Sequence, residues 1–238
     1  MYRYDSRVRF SELDAEGKLS ITGIINYLQD CSTFQSEDLG LGIEYLRQLN
    51  MVWVVNSWQI EVLRFPKLGE RITIGTRPYL IRGFLGHRNF YILDAEGNYL
   101  VKATAIWSLL STQTGHPVNV TQEMVDGYVL AEKIDMEYLP RKISIPKDGK
   151  ELDPIEILPS NLDSNHHVNN GQYVVLAMGC IAQNKEAYTF HHVRTEYRQQ
   201  ARLGDKLYPR VSKNEKGYYI VELNDAEGKP VSIVELGE

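Results

Sequence analysis

Cysteine is nearly absent: the 238 residues hold only Cys31 and Cys180. Two thiols make neither a disulfide framework nor a zinc motif, so both are expected to be core thiols with no disulfide between them. A run of about 18 apolar residues is also missing, which excludes a membrane-spanning helix. Basic charge is not in excess, with 26 Lys and Arg against 31 Asp and Glu. Nucleic-acid binding needs a basic face and has no support. The segment MYRYDSRVRFSELD lacks both an apolar h-region and an Arg/Ser-rich leader, so a cytoplasmic address is expected. The pairs His166–His167 and His191–His192 lack the three- or four-residue spacing of metal ligands on a helix. No metal and no cofactor is expected, and His191 and His192 are read as half-buried strand residues.

What the chain does have is self-similarity. SELD at Ser11–Asp14 matches SNLD at Ser160–Asp163, an offset of 149 that also carries Cys31 onto Cys180. KLGER (Lys67–Arg71) matches RLGDK (Arg202–Lys206) at 135, and DAEGN (Asp94–Asn98) matches DAEGK (Asp225–Lys229) at 131. Landmarks in one order, with an offset that shrinks steadily, point to a duplication. The copies are placed at 1–124 and 153–238, with a charged connecting segment at 125–152 that contains Pro140 and Pro146.

Both copies read as a polar turn, a helix and a meander of strands. Ser20 is a suitable N-cap for a helix carrying Ile21, Ile24, Ile25, Leu28 and Cys31 at helical spacing, with Gly40 and Gly42 ending that region. Asn169 takes the same place before Tyr173–Ile181, a run apolar nearly all round and therefore expected to be buried on every face. β-branched and aromatic runs predict strands at Trp53–Phe65, Arg71–Tyr79, His87–Leu93 and Tyr99–Leu110, then at Ala187–Gln199, Lys206–Ser212, Tyr218–Leu223 and Val231–Leu236. Strands in meander order imply antiparallel pairing. The expected fold is α+β, a double (tandem) hot-dog with two antiparallel sheets, each wrapping a long central helix.

The densest polar stretch is LDSNHHVNN, which places Asp163, Asn165, His166, His167, Asn169 and Asn170 directly before the apolar helix. As a turn and cap, such residues need no further purpose. The first copy makes the corresponding turn with Asp14, Glu16 and Lys18, so a turn requires neither Asn165 nor His167. With INYLQD (Ile25–Asp30), WVV (Trp53–Val55), QIEVLRFPKLGE (Gln59–Glu70) and ATAIW (Ala103–Trp107), this stretch resembles the acyl-ACP thioesterases, bacterial relatives of the plant enzymes that release fatty acids from acyl carrier protein. The likeness runs from about Tyr4 to the end, and the missing transit leader favours a bacterial protein. The family motif has the form Asp-x-Asn-x-His-Val-Asn-Asn.

The resemblance implies a thiolester hydrolase in which Asp163, Asn165 and His167 are catalytic. It also implies a departure: after EYRQ (Glu196–Gln199) the family usually has glutamate, followed in plants by cysteine, where this chain has Gln200 and Ala201. Gln200 can hold a water but cannot take its proton. If the strand continues to Gln200, Arg198 and Glu196 share its face, with Glu196 about 13 Å away. A neutral imidazole at His167, just before a helix N-terminus, suits a general base, and the same terminus offers N–H groups to an oxyanion. Asn169, Asn170, Trp53 and Arg88 are read as substrate-binding, and the first copy as lining the acyl pocket. The expected partner is the acidic acyl carrier protein, received by a basic patch drawn from Arg82, His87, Arg88, Arg198 and Arg202. Two other readings stand beside this one: an acyl-CoA thioesterase of the hot-dog type, and an acyl-carrier binding module with little turnover. A monomer or a homodimer is expected, because two fused copies already supply the pairing that a single hot dog needs.

Overall fold

The computed structural model describes residues 1–163, 166–182 and 189–238. It divides into two compact units: Met1–Asn56 with Glu61–Tyr138, and Ser57–Ile60 with Leu139–Glu238. Among the described residues no helix is long and apolar enough to cross a membrane.

The first unit holds β1 (Tyr2–Arg7), α1 (Ile21–Asp38), α2 (Ile43–Gln48), β2 (Met51–Val62) apart from its residues Ser57–Ile60, β3 (Arg71–Arg82), β4 (Leu85–Leu93), β5 (Tyr99–Ser111) and α3 (Gln122–Tyr128). Its sheet runs β1-β3-β4-β5-β2, with β1·β3, β3·β4 and β4·β5 antiparallel. As expected, the Ser20 hydroxyl caps α1, accepting from the Gly23 N–H at 3.0 Å. Ile24, Ile25, Leu28 and Cys31 are fully buried, and the helix packs on β1 and β3. Gly40 ends α1 at φ +70, where a side chain would be strained. Around it the Leu41 N–H reaches the Ser36 carbonyl at 2.8 Å and the Gly40 N–H reaches that of Glu37 at 2.9 Å, a Schellman closure. Gly42 instead opens α2.

Strand β1 was not expected. Its sequence YRYDSR alternates aromatic or hydroxyl residues with charge instead of apolar residues with polar ones. The inward set nevertheless bonds the unit: Tyr2 Oη donates to Asp38 Oδ2 at 2.6 Å and Ser6 Oγ to Tyr27 Oη at 3.2 Å.

The second unit holds β6 (Lys150–Glu151), β7 (Ile155–Glu156), α4 (Asn170–Ala182), β8 (His192–Tyr197), β9 (Lys206–Lys213), β10 (Tyr219–Asn224) and β11 (Pro230–Gly237). The antiparallel order is β8-β11-β10-β9-β6, with β7 also on β9, and α4 lies against β9, β10 and β11. Each unit is thus the helix-wrapped antiparallel sheet of a hot-dog fold.

Two expectations about this unit need correction. Helix α4 is not buried on every face: Tyr173, Val174, Ala177, Cys180 and Ile181 are, but Val175 is 39% exposed, and Gly179 and Ala182 share its side. An apolar residue set marks where a helix can be buried; the neighbours decide where it is. The strand expected at Ala187–Gln199 is β8, His192–Tyr197; Ala187 and Tyr188 lie outside the described residues. Past Tyr197 the N–H groups of Arg198 and Gln199 both turn to the Val231 carbonyl, at 2.9 and 3.1 Å. Two residues opposite one end the alternation. Leu63 and Arg64 do the same to Leu100 in the first unit, at 2.9 and 3.2 Å.

The segment between the motifs is tied down. Within the first unit the Asn89 amide oxygen accepts from the Ile134 N–H at 3.2 Å and from Tyr138 Oη at 2.9 Å. Within the second, residues 140–147 lie across the sheet face opposite the one bearing Val221 and Val234. Arg194 donates to the Pro140 carbonyl at 2.6 Å, Glu196 Oε2 accepts from the Ile143 N–H at 2.9 Å, and Arg210 donates to the Pro146 carbonyl at 3.2 Å. Ile143 is buried with Ile220 and Ile233. The charges on this face, His192, Arg194, Glu196, Glu222 and Glu235, are therefore buried under the segment instead of solvated.

Candidate active site

Among the described residues, the loop before α4 repeats the main-chain bonds of the loop before α1. The Asp163 N–H donates to the His167 carbonyl at 2.8 Å, as Asp14 does to Lys18 at 2.8 Å. The His166 N–H returns to the Asp163 carbonyl at 3.1 Å, as Gly17 does to Asp14 at 3.1 Å. One carboxylate oxygen then closes each turn: Asp163 Oδ1 accepts from the His167 N–H at 3.4 Å, and Asp14 Oδ1 from Lys18 at 3.0 Å. The Asn169 N–H reaches the Asn161 carbonyl at 2.9 Å, as Ser20 does to Glu12 at 2.9 Å. Leu162 bridges Val168 as Leu13 bridges Leu19. The turn is thus a property of both copies, and the side chains at 165 and 167 are among the differences. Asn165 lies outside the described residues; His167 is half-buried.

One position differs in strain. His166 sits at φ +60 where the first copy has Gly17 at φ +76. A side chain at left-handed φ costs on the order of 1 kcal/mol. His166→Gly is therefore expected to raise stability by up to about 1 kcal/mol. Thermal or urea unfolding checks this, and a drop in stability would mean that the imidazole makes contacts outweighing the strain.

The helix start is committed to its own cap. Asn169 Oδ1 accepts from the Gly171 N–H at 2.9 Å, and its carbonyl accepts from the Gln172 N–H at 2.9 Å. These two N–H groups, expected to be open to an oxyanion, are occupied. The Asn170 carbonyl accepts from Tyr197 Oη at 2.9 Å. Asn161, not singled out in the sequence, holds the entry by accepting from the Leu158 N–H at 2.9 Å and donating to Gln172 Oε1 at 3.1 Å.

Gln200 follows the bulge and is exposed. Its neighbour Ala201 is buried, and the Val168 N–H donates to the Ala201 carbonyl at 3.0 Å. That bond joins the residue after His167 to the residue after Gln200, so the two positions named for the reaction flank one contact. Arg198 and Glu196 do not continue a strand face to Gln200. Glu196 is buried, paired with Arg198 at 3.0 Å and with the Ile143 N–H, and is spent on structure. The second unit also supplies Tyr173, buried against Tyr197 with ring centroids 5.7 Å apart, whose hydroxyl accepts from the Ala201 N–H at 3.0 Å. Burial raises its pKa foremost, with the charges of Asp205 and Asp163 adding to it against the Ala201 bond.

The other candidates belong to the first unit. Trp53 on β2 is half-buried beside the cluster of Leu41, Leu46, Leu109, Met124 and Tyr128. Arg88 is buried, not part of a surface patch: its Nη1 donates to Gln35 Oε1 at 2.5 Å and Thr76 Oγ1 at 3.3 Å, and the guanidinium stands 5.2 Å over the Tyr128 ring. Burial lowers its pKa. Arg82, drawn into the same expected patch, ends β3 and is exposed, whereas Arg88 lies in the buried middle of β4 and bonds to Gln35 of α1. Both cysteines are buried and free, and burial pushes the Cys31 thiol up to about 12 and that of Cys180 to about 11. Neither is a thiolate near neutral pH, so neither is a ready nucleophile.

Residues 1–128 match the profile of the acyl-ACP thioesterase N-terminal domain, and residues 146–231 that of the C-terminal domain. The chain is similar to a chloroplastic acyl-(acyl-carrier-protein) hydrolase of Cuphea viscosissima, 25% identical over 219 residues that make up 87% of this chain and 53% of the relative. It spans about half the length of the first curated relatives it matches. A crystal structure named as an oleoyl thioesterase from Lactobacillus plantarum superposes with a TM-score of 0.85 at 25% identity, covering 99% of this chain and 94% of that one. A crystal structure named as an acyl-ACP thioesterase from Bacteroides thetaiotaomicron gives 0.88 at 22% identity, covering 98% and 96%.

Proposed function

The chain belongs to the acyl-ACP thioesterase family, and from that premise we propose that it hydrolyses fatty acyl-ACP to free fatty acid and carrier thiol. A water attacks the thioester carbonyl carbon, and His167 takes the water's proton. The tetrahedral intermediate then expels the carrier sulfur, which receives the proton from His167. Asp163 holds the turn that carries His167, and its carboxylate steadies the positive charge as it forms on the imidazole. Asn165 orients the carbonyl or the water.

The observation that carries this reading is the comparison of the two loops. They share their main-chain bonds and their aspartate, yet one presents Lys18 and the other His167. In the first loop Lys18 is spent on an ion pair with Glu16 at 2.6 Å. A turn alone explains the aspartate and leaves the histidine without a purpose. The test is direct: the purified protein is given acyl-ACP, and free acid and free carrier thiol are measured together. Equal amounts of both support hydrolysis, and neither appearing would sink it.

Gln200 favours a second reading, a module that binds acyl carrier and turns it over slowly. A glutamine in the place of the family's glutamate can hold a water but not deprotonate it. Gln200→Glu is accordingly expected to raise kcat by about tenfold or more, the scale of an added general base. An unchanged kcat would mean that His167 needs no help from that position.

A further inference from the structure

We propose that Tyr173 is a positioning residue for this hydrolysis: its hydroxyl fixes the Gln200–Ala201 segment against the first turn of α4, and so sets where residue 200 stands relative to the Asp163–His167 turn. The inference rests on reading that turn as the reaction centre.

Ala201 is held at both of its main-chain groups. Its carbonyl accepts from the Val168 N–H at 3.0 Å, and its N–H donates to the Tyr173 hydroxyl at 3.0 Å. Tyr173 is 2% exposed and Ala201 is 2% exposed, so water does not compete for this bond. A second tyrosine, Tyr197, packs edge-on against Tyr173 and donates to the Asn170 carbonyl. The pair therefore clamps the start of α4 to the chain that leaves β8.

The first copy shows what this clamp adds. The offset of 149 carries Tyr173 back onto Ile24, and the offset of 135 carries Ala201 back onto Pro66. The carbonyl bond is kept there, from the Leu19 N–H to Pro66 at 2.8 Å. The other bond cannot form, because isoleucine has no hydroxyl and proline has no N–H. Both partners differ together, and an Ile–Pro pair supports the same turn and the same cap. The fold thus does not need the hydroxyl. It is present, with His167, only in the copy to which the chemistry is assigned, and it acts on the residue next to Gln200.

The experiment uses the full chain as wild type, Tyr173→Phe, Ala201→Pro and the double variant, with kcat and KM on one acyl-ACP and a thermal midpoint for each. Tyr173→Phe leaves a buried N–H without an acceptor, so its midpoint should fall, and kcat should fall about ten- to hundredfold from misplacement of the segment at little change in KM. In the double variant the orphaned N–H is gone, so the midpoint should recover while kcat stays low. A double variant that regains wild-type kcat, or a Tyr173→Phe variant that never loses it, would reduce Tyr173 to a satisfier of one donor and overturn the proposal. If Tyr173→Phe does not fold, Ala201→Pro removes the same bond from the other side and must show the same fall in kcat; a normal kcat there overturns the proposal equally. A wild type that releases no acid refutes the hydrolase reading itself, and is told apart because it appears before any variant is compared.

Discussion

His167→Ala is expected to lower kcat/KM for acyl-ACP by about 10²–10⁴, the usual worth of a general base, with the thermal midpoint nearly unchanged. The two halves of this expectation have separate grounds. The turn uses the main chain of residue 167: its carbonyl accepts from the Asp163 N–H and its N–H donates to the Asp163 carboxylate. The imidazole is not part of those bonds, and Lys18 occupies the same turn in the first copy with the same closure. Alanine should therefore keep the loop and lose only the proton acceptor. Steady-state release of carrier thiol measures the rate, and a wild-type rate in the variant would remove His167 from the mechanism.

Glu235→Ala is expected to destabilise the second unit by about 3–5 kcal/mol, the scale of breaking a buried ion pair from one side. Glu235 Oε1 accepts from Arg194 at 2.7 Å and pairs with His192 Nε2 at 3.0 Å, while Oε2 accepts from Asn214 at 3.2 Å. His192, Arg194 and Glu235 are buried, and Arg194 also donates to the Pro140 carbonyl of the covering segment. Burial opposes the charged carboxylate, but the bonds from His192 and Arg194 outweigh it and hold the pKa below the ordinary glutamate range. With the folded value depressed, the unfolded chain takes up the proton first as pH falls. The stabilisation is therefore full above the unfolded value of about 4.3 and is lost as pH drops through the folded one. Urea midpoints of wild type and Glu235→Ala at neutral pH decide the matter. Equal midpoints would mean that the packing of residues 140–147, not the charges, holds this face.

Periodicity and self-similarity made the helices and most strands legible, because each of those signals is local. Ser20 before an apolar stripe, Gly40 after it, and DAEG between two β-branched runs each act within a few residues. β1 was missed because its inward face is made of Tyr2, Tyr4 and Ser6, which bond instead of packing as apolar groups do. Nothing local marks the charged face of β8, β10 and β11 as covered, because the chain that covers it comes from residues 140–147, far away in sequence. The candidate site divides in the same way. Asp163, His167 and the Asn169 cap were legible as a motif. Tyr173 was not, because its partner is the Ala201 main chain, which no side-chain pattern records. The strand alternation that tied Gln200 to Glu196 failed at a bulge, and only the equal bonding of Leu63 and Arg64 to Leu100 hints at it in the repeat.

At the centre stands the proposal that this chain hydrolyses a thioester presented on acyl carrier protein. One competition assay tests it most directly: acyl-ACP and acyl-CoA with the same acyl chain, at equal concentration, are mixed with the wild-type protein, and the disappearance of each is followed. The predicted result is release of free acid with acyl-ACP consumed first. Consumption of acyl-CoA ahead of acyl-ACP, or binding of acyl-ACP with no acid released, would contradict it.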